Sequence, residues 1–281
     1  MRPVPKLGIF ALGLVGAFAL AAAAGASFGP IDVGAAESHA TMPSGTSEVS
    51  TMSGMTIAAD GYQLVTSTSS VEANTPANFT FRIERVDGSS VTKFDVLNER
   101  RLHLIVLSRD LVGYFHLHPS MDTDGSWRVE LPPLTPNSYR LYADFQPTGA
   151  QRVTLATDLA VPGLVDLVKV PEPASRVEVD GYTVSLTAEQ LLGESTLTFD
   201  ISLAGESVVT DPYLGAAGHL VIIRVGDLGY LHAHAIDDAD QSVRFMAEFP
   251  TSGTYRLFLE FEHAGKVRIA SFTAEILQEG S

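Results

Sequence analysis

Residues 103–118 read HLIVLSRDLVGYFHLH and residues 219–234 read HLVIIRVGDLGYLHAH. The two stretches align without a gap. In each, a histidine is followed 13 residues later by a second and 2 residues later by a third, giving His103, His116, His118 and His219, His232, His234. Each begins with a β-branched apolar run, breaks at a short segment containing Asp and Gly, and resumes with a run carrying a His-x-His pair. That pattern is two strands joined by a hairpin, not a helix of period 3.6.

The repeat extends outward from the histidines. FTFRI at 79–83 matches LTFDI at 197–201, YRLYADF at 139–145 matches YRLFLEF at 255–261, and Asp60-Gly61-Tyr62 matches Asp180-Gly181-Tyr182. Short strands at this spacing, separated by Gly, Pro, Asp and Ser, predict an all-β chain of two tandem Ig-like antiparallel β-sandwich modules. The modules are expected at 56–162 and 176–278, with a linker at 163–175; residues 161–173 carry three prolines and one glycine. A length of 281 residues suits two modules of about 100 residues, each large enough to bury its own core.

Ahead of the first module, Arg2 and Lys6 precede an uncharged apolar run at 7–28. Residues 1–28 read as an N-terminal signal peptide or membrane-anchor helix, which places the remainder outside the cytoplasm, secreted or held at the membrane. Residues 29–55 have the composition of a disordered tether, and His39, Met42, Met52 and Met55 would make it a soft-ligand segment for Cu(I) if they act together.

The formal charge is −15, from 18 Lys and Arg against 33 Asp and Glu. Such a field repels nucleic acid and favours cationic partners, metal ions among them. There is no cysteine, so disulfides, thiolate metal sites and thiol catalysis are excluded together. Any metal must be held by imidazole, carboxylate or thioether.

In a strand, residues i and i+2 share a face about 6.5 to 7 Å apart, so His116 and His118 point the same way, as do His232 and His234. A hairpin loop of even length would set His103 opposite that pair, and His219 opposite its own. Three imidazoles would then converge in each module on a copper or zinc ion, both of which suit a nitrogen-rich site, with two separate sites per chain. Asp144 and Glu260 occupy equivalent positions on the YRL strands and are candidates as ligands or as supports for the ligands. His263, which has Pro147 at its counterpart, could strengthen the second site. Tyr139 and Tyr255 are expected to fill a corner or core role.

The stretches at 103–127, 212–234 and 254–276 resemble a group of exported two-module proteins of high-GC Gram-positive bacteria, provisionally named heavy-metal-binding or secreted proteins. The resemblance implies an extracytoplasmic β-rich protein that buffers or carries metal, copper ahead of zinc, with His103, His116, His118, His219, His232 and His234 as its histidines and Asp144 and Glu260 as its acidic positions. Members commonly show HP after the His-x-His pair; Pro119 keeps it and Ala235 does not.

Two other readings compete with a metal binder. One is a structural or interaction sandwich in which the histidines only pack and hydrogen-bond. The other is a cupin-like metalloenzyme, but there the His-x-His pair is followed by a Glu and a downstream His, whereas Met121-Asp122 follows here. Neither a nucleophile elbow nor a phosphate loop is present, so the expectation is a protein that is not an enzyme.

Overall fold

A computed structural model describes residues 53–166, 168–188, 192–236 and 242–277. The expected signal or anchor segment, most of the tether and its His39, Met42 and Met52 lie outside the described residues. Among the described residues no helix is long and apolar enough to cross a membrane.

The chain is all-β. In the first module the strands are β1 (Ala58–Ala59), β2 (Tyr62–Thr66), β3 (Ala77–Arg85), β4 (Leu102–Ser108), β5 (Tyr114–Leu117), β6 (Ser120–Met121), β7 (Ser126–Leu131), β8 (Asn137–Phe145) and β9 (Val153–Val161). They form two sheets, ordered β1-β2-β3-β7-β6 and β5-β4-β8-β9. The second module follows with β10 (Arg176–Val179), β11 (Tyr182–Ala188), β12 (Gly193–Leu203), β13 (Glu206–Ser207), β14 (His219–Arg224), β15 (Tyr230–Leu231), β16 (Ala233–Ala235), β17 (Val243–Phe249), β18 (Gly253–His263) and β19 (Lys266–Ile276). Its sheets run β10-β11-β12-β17-β16 and β15-β14-β18-β19, repeating the first arrangement.

Strand alternation builds each module's core. On β3, Phe79, Phe81 and Ile83 turn inward to meet Leu104, Val106, Leu141 and Phe145, around the buried Trp127. On β12, Leu197, Phe199 and Ile201 do the same against Leu220, Ile222, Leu257 and Phe261. Tyr139 and Tyr255 close the corners, each hydroxyl donating to a carbonyl four residues upstream, Thr135 at 3.0 Å and Thr251 at 2.8 Å.

A third core lies between the modules, within one compact unit of the chain. Every residue of β4 is buried, which a sheet with one wet face does not allow. Leu104 and Val106 point into the module, whereas Ile105 and Leu107 point out, onto Val221, Ile223 and Phe258 of the second module. The contact has an approximate two-fold logic. Tyr114 stacks on Phe258 with ring centres 4.2 Å apart, and the equivalent Tyr230 packs on Tyr142 at 5.5 Å. Each buried apolar side chain contributes about 1.5–3 kcal/mol, so this face holds the modules firmly together.

The hairpin turns lock the same interface. Leu111 and Leu228 sit at their tips with φ of 63° and 60°, a left-handed conformation that branched side chains seldom adopt. Both are nonetheless buried between the modules. Their carbonyls are caught from across the contact: Arg256 Nε donates to Leu111 O at 3.1 Å, and the Tyr142 hydroxyl donates to Leu228 O at 2.7 Å. Burial of the leucines and these hydrogen bonds offset the backbone strain, which is about 1–3 kcal/mol per turn.

The last residues of the expected tether depart from a free linker. Ser53 exchanges backbone hydrogen bonds with Tyr230, at 3.1 and 2.9 Å, and Gly54 N donates to Thr154 O at 3.1 Å. Gly54 makes this crossing feasible: its φ is 66°, and a Cβ there would lie 2.7 Å from the Tyr142 ring. The residues 53–55 therefore strap the seam between the modules.

Candidate metal centre at the module interface

The β4–β5 ladder sets Ile105 opposite His116 and Leu104 opposite Leu117, so His103 shares a face with His116 and His118. The ring centres of His103 lie 5.0 Å from His116 and 5.3 Å from His118, and His116 and His118 are 4.7 Å apart. The fourth imidazole comes from the other module. His219, first residue of β14, stacks at 5.4 Å on His103 and at 4.9 Å on His116. One ring nitrogen from each of His103, His116 and His219 falls in a set spanning no more than 4.8 Å.

The expectation of one trio per module therefore gives way to a single cluster shared between modules. The cause is the third core: His103 and His219 lead the outward rows His103-Ile105-Leu107 and His219-Val221-Ile223, and packing those rows face to face brings the two histidines together. His232 and His234 do not follow His219. In the first module the strand stays on β4 through Leu117; in the second it leaves β14 after Leu231 and joins β17, with His234 opposite Met246. Pro119 explains the difference in part, because it has no N–H for such a ladder, whereas its counterpart Ala235 pairs with Phe245.

The acidic residues are exchanged between modules as well. Glu260, not Asp144, accepts from His116, with Oε2 2.7 Å from Nδ1, and its Oε1 accepts from the Tyr114 hydroxyl at 2.9 Å. Asp144 serves His232 of the second module, Oδ1 to Nε2 at 3.1 Å, and is also held by Arg152 and by the Thr154 hydroxyl at 3.0 Å. Burial would raise the Asp144 pKa, but Arg152 and His232 together hold it well below the usual carboxylate range. His263 stands apart. Three positions beyond Glu260, it faces the opposite side of β18, where its Nδ1 lies 2.7 Å from the Tyr182 hydroxyl, so it supports no ion at this cluster.

Hydrogen-bond partners fix where the ring protons of the cluster sit. His103 Nε2 lies 2.9 Å from the Leu97 carbonyl, which can only accept, so Nε2 carries the hydrogen and Nδ1 a lone pair. If Glu260 is ionised, His116 likewise donates from Nδ1 and its Nε2 carries a lone pair. These two nitrogens face each other at 2.8 Å. Two lone pairs cannot face each other so closely without a cation between or beside them, unless Glu260 holds a proton and passes a hydrogen bond through His116 to His103. In addition, His118 Nε2 and His219 Nε2 are buried with no hydrogen-bond partner. Buried orphan nitrogens are rare and call for an explanation, an ion included.

Burial first, and the neighbouring rings second, hold the pKa values of His116, His118 and His219 down to about 3. The rings are therefore neutral near pH 7, which is the state a metal requires. Glu260 is shifted the other way, raised by burial and only partly restrained by His219 and Tyr114. Replacing Glu260 by Ala strands the Tyr114 hydroxyl and His116 Nδ1, and is expected to cost about 1–3 kcal/mol for each buried group left unpaired. Glu260→Gln, which keeps an acceptor oxygen, should recover part of that loss in thermal melts; equal destabilisation by the two variants would show that the carboxylate does not hold these groups.

The chain belongs to the family described as Domain of unknown function (DUF8832), whose model matches residues 56–162 and again 177–278. No curated protein matches it. Among solved structures it is similar to FdeC, an adhesin of Escherichia coli, at 15% identity over 78% of this chain and 64% of that one, with a TM-score of 0.24. The surface-layer protein SbsC, domains 4–9, matches at 11% identity over 78% and 31%, with a TM-score of 0.25. The fibronectin(III)-like modules of Clostridium thermocellum CbhA match at 12% identity over 77% and 95%, with a TM-score of 0.22. The chain spans less than two thirds of the FdeC and SbsC structures.

Proposed function

We propose that this protein is an extracytoplasmic metal binder, buffering or carrying copper, with zinc as the second candidate, in a centre assembled by both modules. The observation that carries the reading is the convergence of His103, His116 and His219, from two modules, with Glu260 and the Leu97 carbonyl already occupying the outer nitrogens of two rings. Outer carboxylate and carbonyl partners of this kind orient metal-binding histidines. His118, whose ring adjoins both His103 and His116, lies beside this set of three and not within it.

A set of imidazole nitrogens with a carboxylate behind one ring suits Cu(II) and Zn(II) alike. The export-type N terminus read from the sequence and the absence of cysteine, which leaves imidazole, carboxylate and thioether as donors, fit the same reading. Enclosure of the rings between two modules suits holding an ion better than turning over a substrate.

A structural reading has its own support: His116–Glu260 and His232–Asp144 both tie one module to the other, so the histidines could serve purely as a clasp. Equilibrium dialysis of residues 48–281 against Cu(II) and Zn(II) separates the two. The metal reading expects one ion per chain and its loss in His219→Ala, with the apo form of that variant still folded. Two ions per chain, or none, would overturn the shared centre; none together with a large loss of apo stability in His219→Ala would leave the clasp.

A further inference from the structure

We infer that His234 is the capture point through which an ion reaches the buried centre, an inference that rests on the metal reading above. The rings that would hold the ion are closed off: His103 is 1% exposed and His219 is 8% exposed. His234, by contrast, is exposed, and it stands in the wall of two cavities at once.

One cavity, about 340 Å³, is lined by His232, His234, Met246, Glu194 and Glu248 among others. Its donors sit on the solvent side of the β12–β17–β16 sheet, where His234 is the cross-strand partner of Met246 and Glu194 that of Glu248. Two carboxylates directly opposed on neighbouring strands repel each other and draw cations to that face. A second cavity, about 280 Å³, shares His234 with the first and is lined also by His219, Arg152 and Asn98. His219 has a buried nitrogen with no hydrogen-bond partner.

The order of donors is therefore acid pair and thioether outside, His234 between, and His219 within. An ion can pass along it by ordinary ligand exchange, each imidazole binding before the previous donor lets go, with no change of oxidation state. The split of the second histidine set gains a purpose on this reading. Leaving β14 two residues early removes His234 from the centre and places it at the approach.

Stopped-flow mixing of the protein with Cu(II), followed by imidazole-to-copper charge-transfer absorbance, tests the path. His234→Ala is expected to slow uptake about tenfold while leaving one ion per chain, the equilibrium affinity and the final spectrum unchanged. Glu194→Gln with Glu248→Gln should slow uptake at low salt and matter little at high salt. An unchanged rate in His234→Ala would overturn the inference, and so would a loss of stoichiometry or affinity, which would make His234 a resident ligand. Wild-type protein that takes up no Cu(II) would remove the centre itself and the path with it, a result distinct from either of these.

Discussion

Val221→Asp is expected to abolish ion binding although no histidine is touched, and to split the thermal unfolding into two transitions. Val221 is fully buried in the core between the modules, opposite Phe258 on β18. A carboxylate there loses about 1.5–3 kcal/mol of apolar burial and adds a desolvation penalty of several kcal/mol, which Arg256, buried over the neighbouring Phe258 ring and already bonded to Leu111 O and Thr273, offsets only in part. The module cores that hold Leu220 and Ile222 remain intact, so the charge acts on the contact between modules and not on either sandwich. With the modules parted, His219 no longer meets His103 and His116, and the centre ceases to exist. Val221→Ala removes only part of the apolar surface and should keep both the single melt and the ion, with a smaller loss. Differential scanning calorimetry and metal analysis on the same samples decide the matter. A Val221→Asp protein that melts in one step and retains a full ion would show that the interface is not what assembles the cluster.

The strand content was legible because alternation and turn residues are local signals. Phe79-Thr80-Phe81 and Leu197-Thr198-Phe199 place aromatic residues on one face, and the repeat of the histidine blocks doubles each strand assignment. The convergence of His103 with His116 and His118 follows from loop parity, which spacing alone constrains. The partnership of His219 with the first set does not. It depends on which sheet faces meet, and no period within a strand records that.

Two sequence features nevertheless pointed to the interface. LHLIVL at 102–107 and HLVII at 219–223 are continuous apolar runs, the pattern of strands buried on both faces, where a sandwich sheet with one wet face would alternate. The Asp-Leu pair in both turns, Asp110-Leu111 and Asp227-Leu228, puts a large apolar residue at a hairpin tip, where one is needed only if something covers it. The exchange of Asp144 and Glu260 between histidine pairs follows from the same two-fold contact and was illegible for the same reason. His263 stands out in the sequence because Pro147 holds its place in the first module, but strand parity turns it to the opposite face of β18 from Glu260. The early exit of the second hairpin from β14 could have been read from Ala235 standing where Pro119 stands in the first, a difference of one backbone N–H.

Acid is expected to loosen the apo protein well before carboxylates alone would. His116 and His219 are almost wholly buried and their folded pKa values lie near 3, below the ordinary value of 6.5, because burial disfavours the charged ring. A group whose folded pKa is depressed contributes stability that is complete above its unfolded pKa and is lost as pH falls toward the folded value. The window is therefore about pH 6.5 down to 3. At pH 5 each ring has given up about 2 kcal/mol, taking about 1.4 kcal/mol per pH unit, and the two together remove about 4 kcal/mol from the roughly 5–15 kcal/mol typical of folded domains. Glu260 acts in the opposite sense, since its raised pKa is relieved as it protonates, and it softens the lower end of the window. Asp144, held below its ordinary value against the cost of burial, withdraws its contribution only below about pH 4. Bound ion should hold the protein up at pH 7 and fail over the same range, because protons compete for the same nitrogens. Melting temperatures from pH 8 to 4, with and without Cu(II), measure this directly. A double replacement of His116 and His219 by Leu should make the apo profile shallower between pH 6.5 and 5, with His118 still titrating over the same range; an apo profile that is already flat there in the wild-type protein would mean that these histidines are reached by solvent and are not the buried neutral ligands of a shared centre.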